Sequence, residues 1–277
     1  MSTHVLLYRE VREVLYDLKI YGKLAVMAIR SKMQYRADFI AGLLGVFALN
    51  AINLAQLGLL TYRFQTLGNW TIWDLIFLYS LYMVCRSVYT TFFHHIERLE
   101  DEIAQGTFDQ CLIRPVSPLL QIMGQDFRYI GIADLLFGIA CFVLSVGTIR
   151  PPWSFVHILW LLVFLFCGIV IETSIAIICS CASFWAVRVG VLHDMVMRAK
   201  LLTQQYPISI FGDAFRVLVT GFLPVAFINC YPAVFLLGKS DAPLCYSYFS
   251  PVVALVLVML ASLVWRGGIM RYSSTGS

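Results

Sequence analysis

The chain has 277 residues, 60% of them hydrophobic and 13% charged, with a net charge of +4 and a mean hydropathy of +0.80. That composition excludes an ordinary soluble domain, and without a basic patch interleaved with aromatic residues the small positive charge gives nucleic acid no footing. No period-two alternation marks barrel strands, so the expected class is an all-α membrane protein.

The first residues carry charges of both signs and the first apolar run starts too late for a signal peptide, so Met1 is expected on the cytoplasmic side. From Tyr8 to Arg36, apolar Val14, Leu18, Tyr21, Ala25 and Ala28 recur at helical spacing, while Arg9, Arg12, Lys19, Lys23, Arg30 and Lys32 can reach lipid phosphates. This is the pattern of an amphipathic helix lying on the membrane lipids. Six stretches then supply the ~20 apolar residues a bilayer crossing needs: Phe39–Leu60, Trp73–Phe93, Phe127–Thr148, Phe155–Trp185, Phe215–Leu237 and Pro251–Trp265. Pro224 and Pro232 interrupt the fifth.

Six spans with the N-terminus inside leave only Arg63, Arg150 and Lys239 of the 20 Lys and Arg residues in outer loops. That bias fixes both termini on the cytoplasmic side. Span one carries a stripe of Ala41, Gly45, Ala48, Ala51, Ala55 and Gly58, which suits close helix packing in lipid. Asn50, Asn53 and Gln56 lie on a neighbouring face, either as interhelical hydrogen bonders or as the lining of a polar path. The inner segment from Arg188 to Gln205 has amphipathic spacing and ends at Tyr206-Pro207.

Charges inside spans are costly and face protein or a wet cavity. Arg86 and Glu172 lie midway along spans two and four and Asp134 lies in span three; Arg86 and Glu172 could pair, either as a buried ion pair that fixes helix packing or as part of the lining of a transport path. Arg86 and Glu172, with Asn50 and Asn53, are the candidates for a translocation path. His94 and His95 close span two as interfacial anchors. The eight cysteines fall mostly in apolar runs, where the thiol acts as a small hydrophobe; a pair between Cys230 and Cys245 is left open, and no metal site is expected. Neither His-Glu-x-x-His nor Gly-x-Ser-x-Gly occurs. Leu237-Gly238-Lys239-Ser240 resembles the end of a phosphate loop, but Ala233 stands where that loop requires Gly. No ATPase is visible in the chain.

The most polar segment is the island from Glu97 to Pro118, with five acids and two arginines. It reads as a short helix ended by Gly106, then Thr107–Leu112 and a stiff exit, Arg114-Pro115-Val116-Ser117-Pro118. A net negative patch is repelled by an anionic leaflet and suits a protein partner with basic groups.

Four patches resemble the permease subunits of type-2 ABC exporters, in the branch of paired small permeases. They are Gln34-Tyr35-Arg36-Ala37-Asp38-Phe39; Gly106-Thr107-Phe108-Asp109 through Arg114-Pro115-Val116-Ser117-Pro118; Tyr206-Pro207-Ile208-Ser209-Ile210-Phe211 with Leu223-Pro224-Val225-Ala226-Phe227-Ile228-Asn229-Cys230-Tyr231-Pro232-Ala233; and Arg271-Tyr272-Ser273-Ser274. Cys111 and Cys230 depart from the aliphatic and aromatic residues expected there. The resemblance implies that residues 1–36 hold a connecting helix (Tyr16–Lys32), that 37–270 form a single six-helix domain with a cytoplasmic coupling loop at 96–120, and that 271–277 are a cytoplasmic tail. It implies a partner ABC ATPase dimer that binds ATP and Mg, and a second permease, identical or paralogous. It also implies outward movement of an amphipathic or drug-like substrate across a bacterial inner membrane. On that likeness Glu97, Glu100, Asp101, Gln105, Gly106, Asp109, Arg114 and Pro115 are the ATPase-coupling residues, and the chain itself is not an enzyme. The competing readings are an ion-coupled secondary transporter, which Arg86, Asp134 and Glu172 could serve, and an intramembrane lipid-modifying enzyme, which needs clustered His or carboxylates at one interface.

Overall fold

The computed structural model describes residues 22, 26–27, 36–64, 66–186 and 189–272. Apart from 22, 26 and 27, the expected N-terminal surface helix lies outside the described residues, as do Gln34, Tyr35, Arg188 and residues 273–277. The described chain is helical, in the order α1 (Arg36–Phe64), α2 (Ile72–Phe92), a 3-10 turn (His94–Arg98), α3 (Leu99–Ala104), α4 (Phe108–Leu112), α5 (Pro118–Met123), α6 (Ile130–Ile149) and α7 (Phe155–Cys181). It continues with α8 (Gly190–Gln205), α9 (Asp213–Val217), α10 (Cys230–Leu237), α11 (Cys245–Tyr248) and α12 (Ser250–Arg271).

Among the described residues, five helices are long and apolar enough to cross a membrane: Ile40–Arg63, Ile72–Phe92, Ile130–Ile149, Phe155–Phe184 and Ser250–Arg271. They are the first, second, third, fourth and sixth of the expected spans. Local chemistry sets their ends. Thr71 and Asp74 form a reciprocal capping box at the start of α2, and Ser154 with His157 forms another at α7, each satisfying backbone N–H groups that have no helical partner. Arg150 ends α6 in a left-handed conformation (φ 48°), and Pro151-Pro152 cannot continue the helix.

The fifth crossing is not where hydropathy places it. α8, expected as a cytoplasmic amphipathic segment, climbs alongside α2. At the island end His193 Nε2 lies 3.2 Å from Glu97. Further along, Lys200 Nζ sits 3.0 Å from Glu172 Oε1 and over the Tyr89 ring, and Gln204 Nε2 meets Met83 Sδ at 3.5 Å. Beyond α8, Ser209 donates to Asp241 at 2.7 Å, and the same carboxylate oxygen accepts from the Trp70 indole. Since Trp70 and Glu97 flank opposite ends of α2, the chain from 193 to 209 runs the whole length of that helix. The first turn of α8 stays level with the island, and residues 196–210 make the crossing.

The segments Asp213–Phe222 and Val225–Leu237, expected as one span, meet at 77°. They form a re-entrant hairpin. It starts where Arg216 Nε donates to the Ile208 carbonyl (3.2 Å) and dips until Asn229 Nδ2 donates to the carbonyls of Thr203 (2.9 Å) and Leu78 (3.4 Å). It then returns to the end it came from, where Trp153 Nε1 donates to Leu236 O at 2.8 Å and Lys239 pairs with Asp74 at 2.7 Å. Pro224, with no N–H to donate, stands at the break.

Close packing falls elsewhere than expected. A Cβ on Gly131 would lie 2.6 Å from Ser87 O, and one on Gly168 2.6 Å from Cys85 Sγ and 3.3 Å from Ile228 O. These contacts draw α6 and α7 against α2 and seat the hairpin tip. The small-residue stripe of span one does not serve this chain: a Cβ on Gly45 or Gly58 would meet nothing within 4 Å. Only 11% of that helix's apolar window is buried, against 67% for α2, so α1 presents its stripe outward.

Candidate functional site

The island folds as a cap on the bundle. Gly106 adopts φ 71°, a left-handed turn that glycine adopts without the cost a Cβ brings, and this reverses the chain between α3 and α4. Phe108, fully buried, packs edge-on against Phe184, Trp265 and Tyr272. With Ile96, Leu99, Cys111, Ile122 and Met123 it forms an apolar cluster shared with Ala176, Cys181 and Ala261 of the spans. The exit is clasped by Gln121, whose Nε2 donates to the carbonyls of Cys111 (3.0 Å) and Val116 (2.6 Å). Pro118 opens α5 at the first helical position, where its missing N–H costs nothing.

Much of the island's charge is answered internally. Glu97 accepts from Tyr89 Oη at 2.5 Å and lies 3.3 Å from His94 Nδ1 and 3.2 Å from His193 Nε2. Burial by itself would raise the Glu97 carboxyl, but hydrogen bonds from His193 and His94, the His94 charge and the Tyr89 hydroxyl outweigh it and hold the carboxyl well below its ordinary value. The hydrogen bond to Glu97 raises His193, with burial opposing. Glu100 accepts from the Val189 N–H at 3.2 Å, and Glu102 takes the Thr107 hydroxyl. Burial lowers His95, which meets Gln125 Oε1 at 3.0 Å. The two histidines are therefore internal ties of the island, not the interfacial anchors expected from their position. Burial, with Asp109 beside it, pushes the Tyr272 phenol up to about 12.

Of the eight expected coupling residues, Asp101, Gln105, Arg114 and Pro115 are exposed, Glu100, Gly106 and Asp109 are half-buried, and Glu97 turns inward to the histidines. The exposed surface also includes Arg98, Gln110, Leu112 and Ile113. Ile113 is 85% exposed at the tip. The exposed face of the island is thus mixed in charge around an aliphatic knob, rather than the acidic patch expected from the summed charge. No signal in the sequence marks Ile113, a lone aliphatic residue beside Arg-Pro in a segment whose character is set by its charges.

The translocation candidates separate. Asn50 is buried and ties three helices: its Nδ2 donates to Asp134 Oδ1 (2.8 Å) and its Oδ1 accepts from Tyr79 Oη (2.7 Å). Asn53 is half-buried on the same helix. Glu172 pairs not with Arg86 but with Lys200, at 3.0 Å and with both side chains nearly sealed from solvent. Arg86 has Tyr82, Glu172 and Asp134 as electrostatic neighbours. The partner is not Arg86 because α8 enters the bundle and brings its own cation. Cys230 is buried and Cys245 exposed, both as free thiols.

A family model described as ABC-2 family transporter protein matches residues 47–276. No curated protein and no solved structure matches the chain.

Proposed function

Because the chain belongs to the ABC-2 transporter family and is the membrane permease subunit of an ABC transporter, we propose that it is the permease of an ATP-driven exporter whose island docks on a separate ATPase dimer. The observation that carries this reading is the island's construction. A short, rigidly anchored pair of helices presents Leu112, Ile113, Arg114 and Pro115 to the surrounding water, while Phe108 at its root is held among rings of α12 and of the turn after α7. A loop that only joins two spans needs no such anchor. Leu112 and Ile113 beside Arg114 offer a partner an exposed aliphatic pair and a cation.

ATP and Mg bind the partner ATPases, whose closure pushes the knob, and the tight aromatic root passes the displacement to α7 and α12 instead of dissipating it in a flexible loop. A second permease, identical or paralogous, covers the outward stripe of Ala41, Gly45, Ala48 and Gly58 on α1, since small residues let helices approach in lipid. An amphipathic substrate moves outward between the two, across a bacterial inner membrane. The test is affinity purification of the tagged chain in mild detergent, with identification of what accompanies it. A nucleotide-binding subunit in fixed proportion is expected; its absence under several gentle conditions overturns the reading.

A further inference from the structure

The island touches α8 at two points that docking does not require. Glu97 Oε2 faces His193 Nε2 at 3.2 Å, and Glu100 Oε2 accepts the Val189 N–H, placing a carboxylate at the positive end of the α8 dipole. The other end of α8 is tied to the hairpin through the Thr203 carbonyl and Asn229 Nδ2, 2.9 Å apart. Between them Lys200 holds Glu172 of α7. One helix thus joins the cap at the island end to the hairpin tip inside the bundle. A cavity of about 200 Å³ lined by Glu97, Glu100, Cys179, Ser180, His193 and Asp194 lies beside the joint.

We infer that the Glu97–His193 pair is a positioning joint that passes displacement of the island to α8, and through α8 to the re-entrant hairpin. This rests on the proposed role of the island as the ATPase docking site. A helix that carries His193, Asp194, Arg198 and Lys200 gains little from an apolar seat at its first turn, so the paired charges hold it. Because the cation is an imidazole, the joint responds to pH. Glu97, Asp194 and Lys200 act on His193 directly; His94 of the island and Tyr89 of α2 contact Glu97 from its other side, and Glu100 and Cys179 of α7 line the cavity that His193 shares. The direct Glu97 contact favours the imidazolium over the opposing Lys200 charge and burial. Loss of the His193 proton converts an ion pair into a neutral contact and loosens the joint.

The experiment is hydrogen exchange on the permease with its co-purified ATPase in nanodiscs, with and without ATP and vanadate, at about pH 6 and about pH 9, on either side of ordinary imidazole titration. In the unmodified complex, ATP should alter exchange in both the island and α8 at the lower pH. At the higher pH the α8 response should fall while the island response persists. His193→Lys, which keeps a cation, should retain the α8 response at both values. His193→Gln, and separately Glu97→Gln, should reduce it at the lower pH by at least ~5-fold, the lower end of typical coupling between sites, to the level the unmodified complex shows at the higher pH, while the island still responds. An α8 response of normal size in His193→Gln with a responding island overturns the joint alone, as does a pH dependence that survives in His193→Lys. An island that ignores ATP in the unmodified complex overturns the docking role, and the joint with it.

Discussion

Replacing Lys200 by Met tests the fifth crossing and the charge arrangement together. Lys200 is 3% exposed, its Nζ lies 3.0 Å from Glu172 Oε1, and its cation also sits 5.7 Å from the Tyr89 ring centroid. Met keeps the length and apolar stem but leaves Glu172 buried without its cation. Breaking a buried pair from one side costs about 3–5 kcal/mol, whereas replacing both partners by apolar groups of similar volume is often near neutral. At roughly 2–4 °C per kcal/mol for a chain somewhat smaller than this one, Lys200→Met should lower the Tm by at least about 6 °C. The double variant Lys200→Met/Glu172→Leu should recover most of the loss. The assay is thermal unfolding in detergent followed by fluorescence-detected size exclusion. Arg86→Met combined with Glu172→Leu provides the contrast, and should recover less because Arg86 is not the direct partner. Additive losses in the Lys200–Glu172 double variant, or a single-variant cost below about 1 kcal/mol, the range of exposed ion pairs, would refute a sealed pair between α7 and α8.

Ile113→Asp, at the exposed tip, should leave the Tm within about 1–2 °C, since surface changes cost little, yet remove the ATPase on co-purification; retention of the ATPase argues against the knob. Phe108→Ala removes the island's root and should cost about 3–5 kcal/mol, as for other buried Phe truncations, read as lowered Tm together with faster proteolysis between Arg98 and Arg114. Because folding raises His193, its stabilising contribution is full below the ordinary imidazole value and is lost as pH rises through the folded value. His193→Gln should therefore lower the Tm more near pH 6 than near pH 9, and an equal loss at both excludes a stabilising imidazolium. Glu97 is depressed, so its contribution holds above the ordinary carboxylate value and is lost as pH falls through the folded one; Glu97→Gln should cost more near pH 7 than near pH 2.

The long apolar helices were legible because lipid demands a continuous run of apolar residues, and each started close to its expected position. The fifth crossing was not, for two physical reasons. α8 carries His193, Asp194, Arg198 and Lys200, and a helix can cross with such charges only where neighbouring helices answer them. Its partners Glu97 and Glu172 lie far away in sequence and cannot be inferred from spacing. The run from Phe215 to Leu237 is apolar enough to mimic a span, yet Pro224 breaks it and Asn229 anchors the tip to carbonyls of α2 and α8. The Gly106 turn was legible, because a glycine after a short helical run supplies the left-handed residue that ends it. What the island's charges do was not, because a summed charge cannot tell that Glu97 and Glu102 are consumed internally by His193, His94 and Thr107.

The docking role is tested most directly by a photo-crosslinking amino acid placed at Ile113 in the intact membrane. Irradiation should join the chain to a nucleotide-binding subunit, with the same probe at Leu255, exposed within the α12 span, giving no such product. Crosslinks from Ile113 to lipid alone, in membranes where the transporter is active, would contradict it.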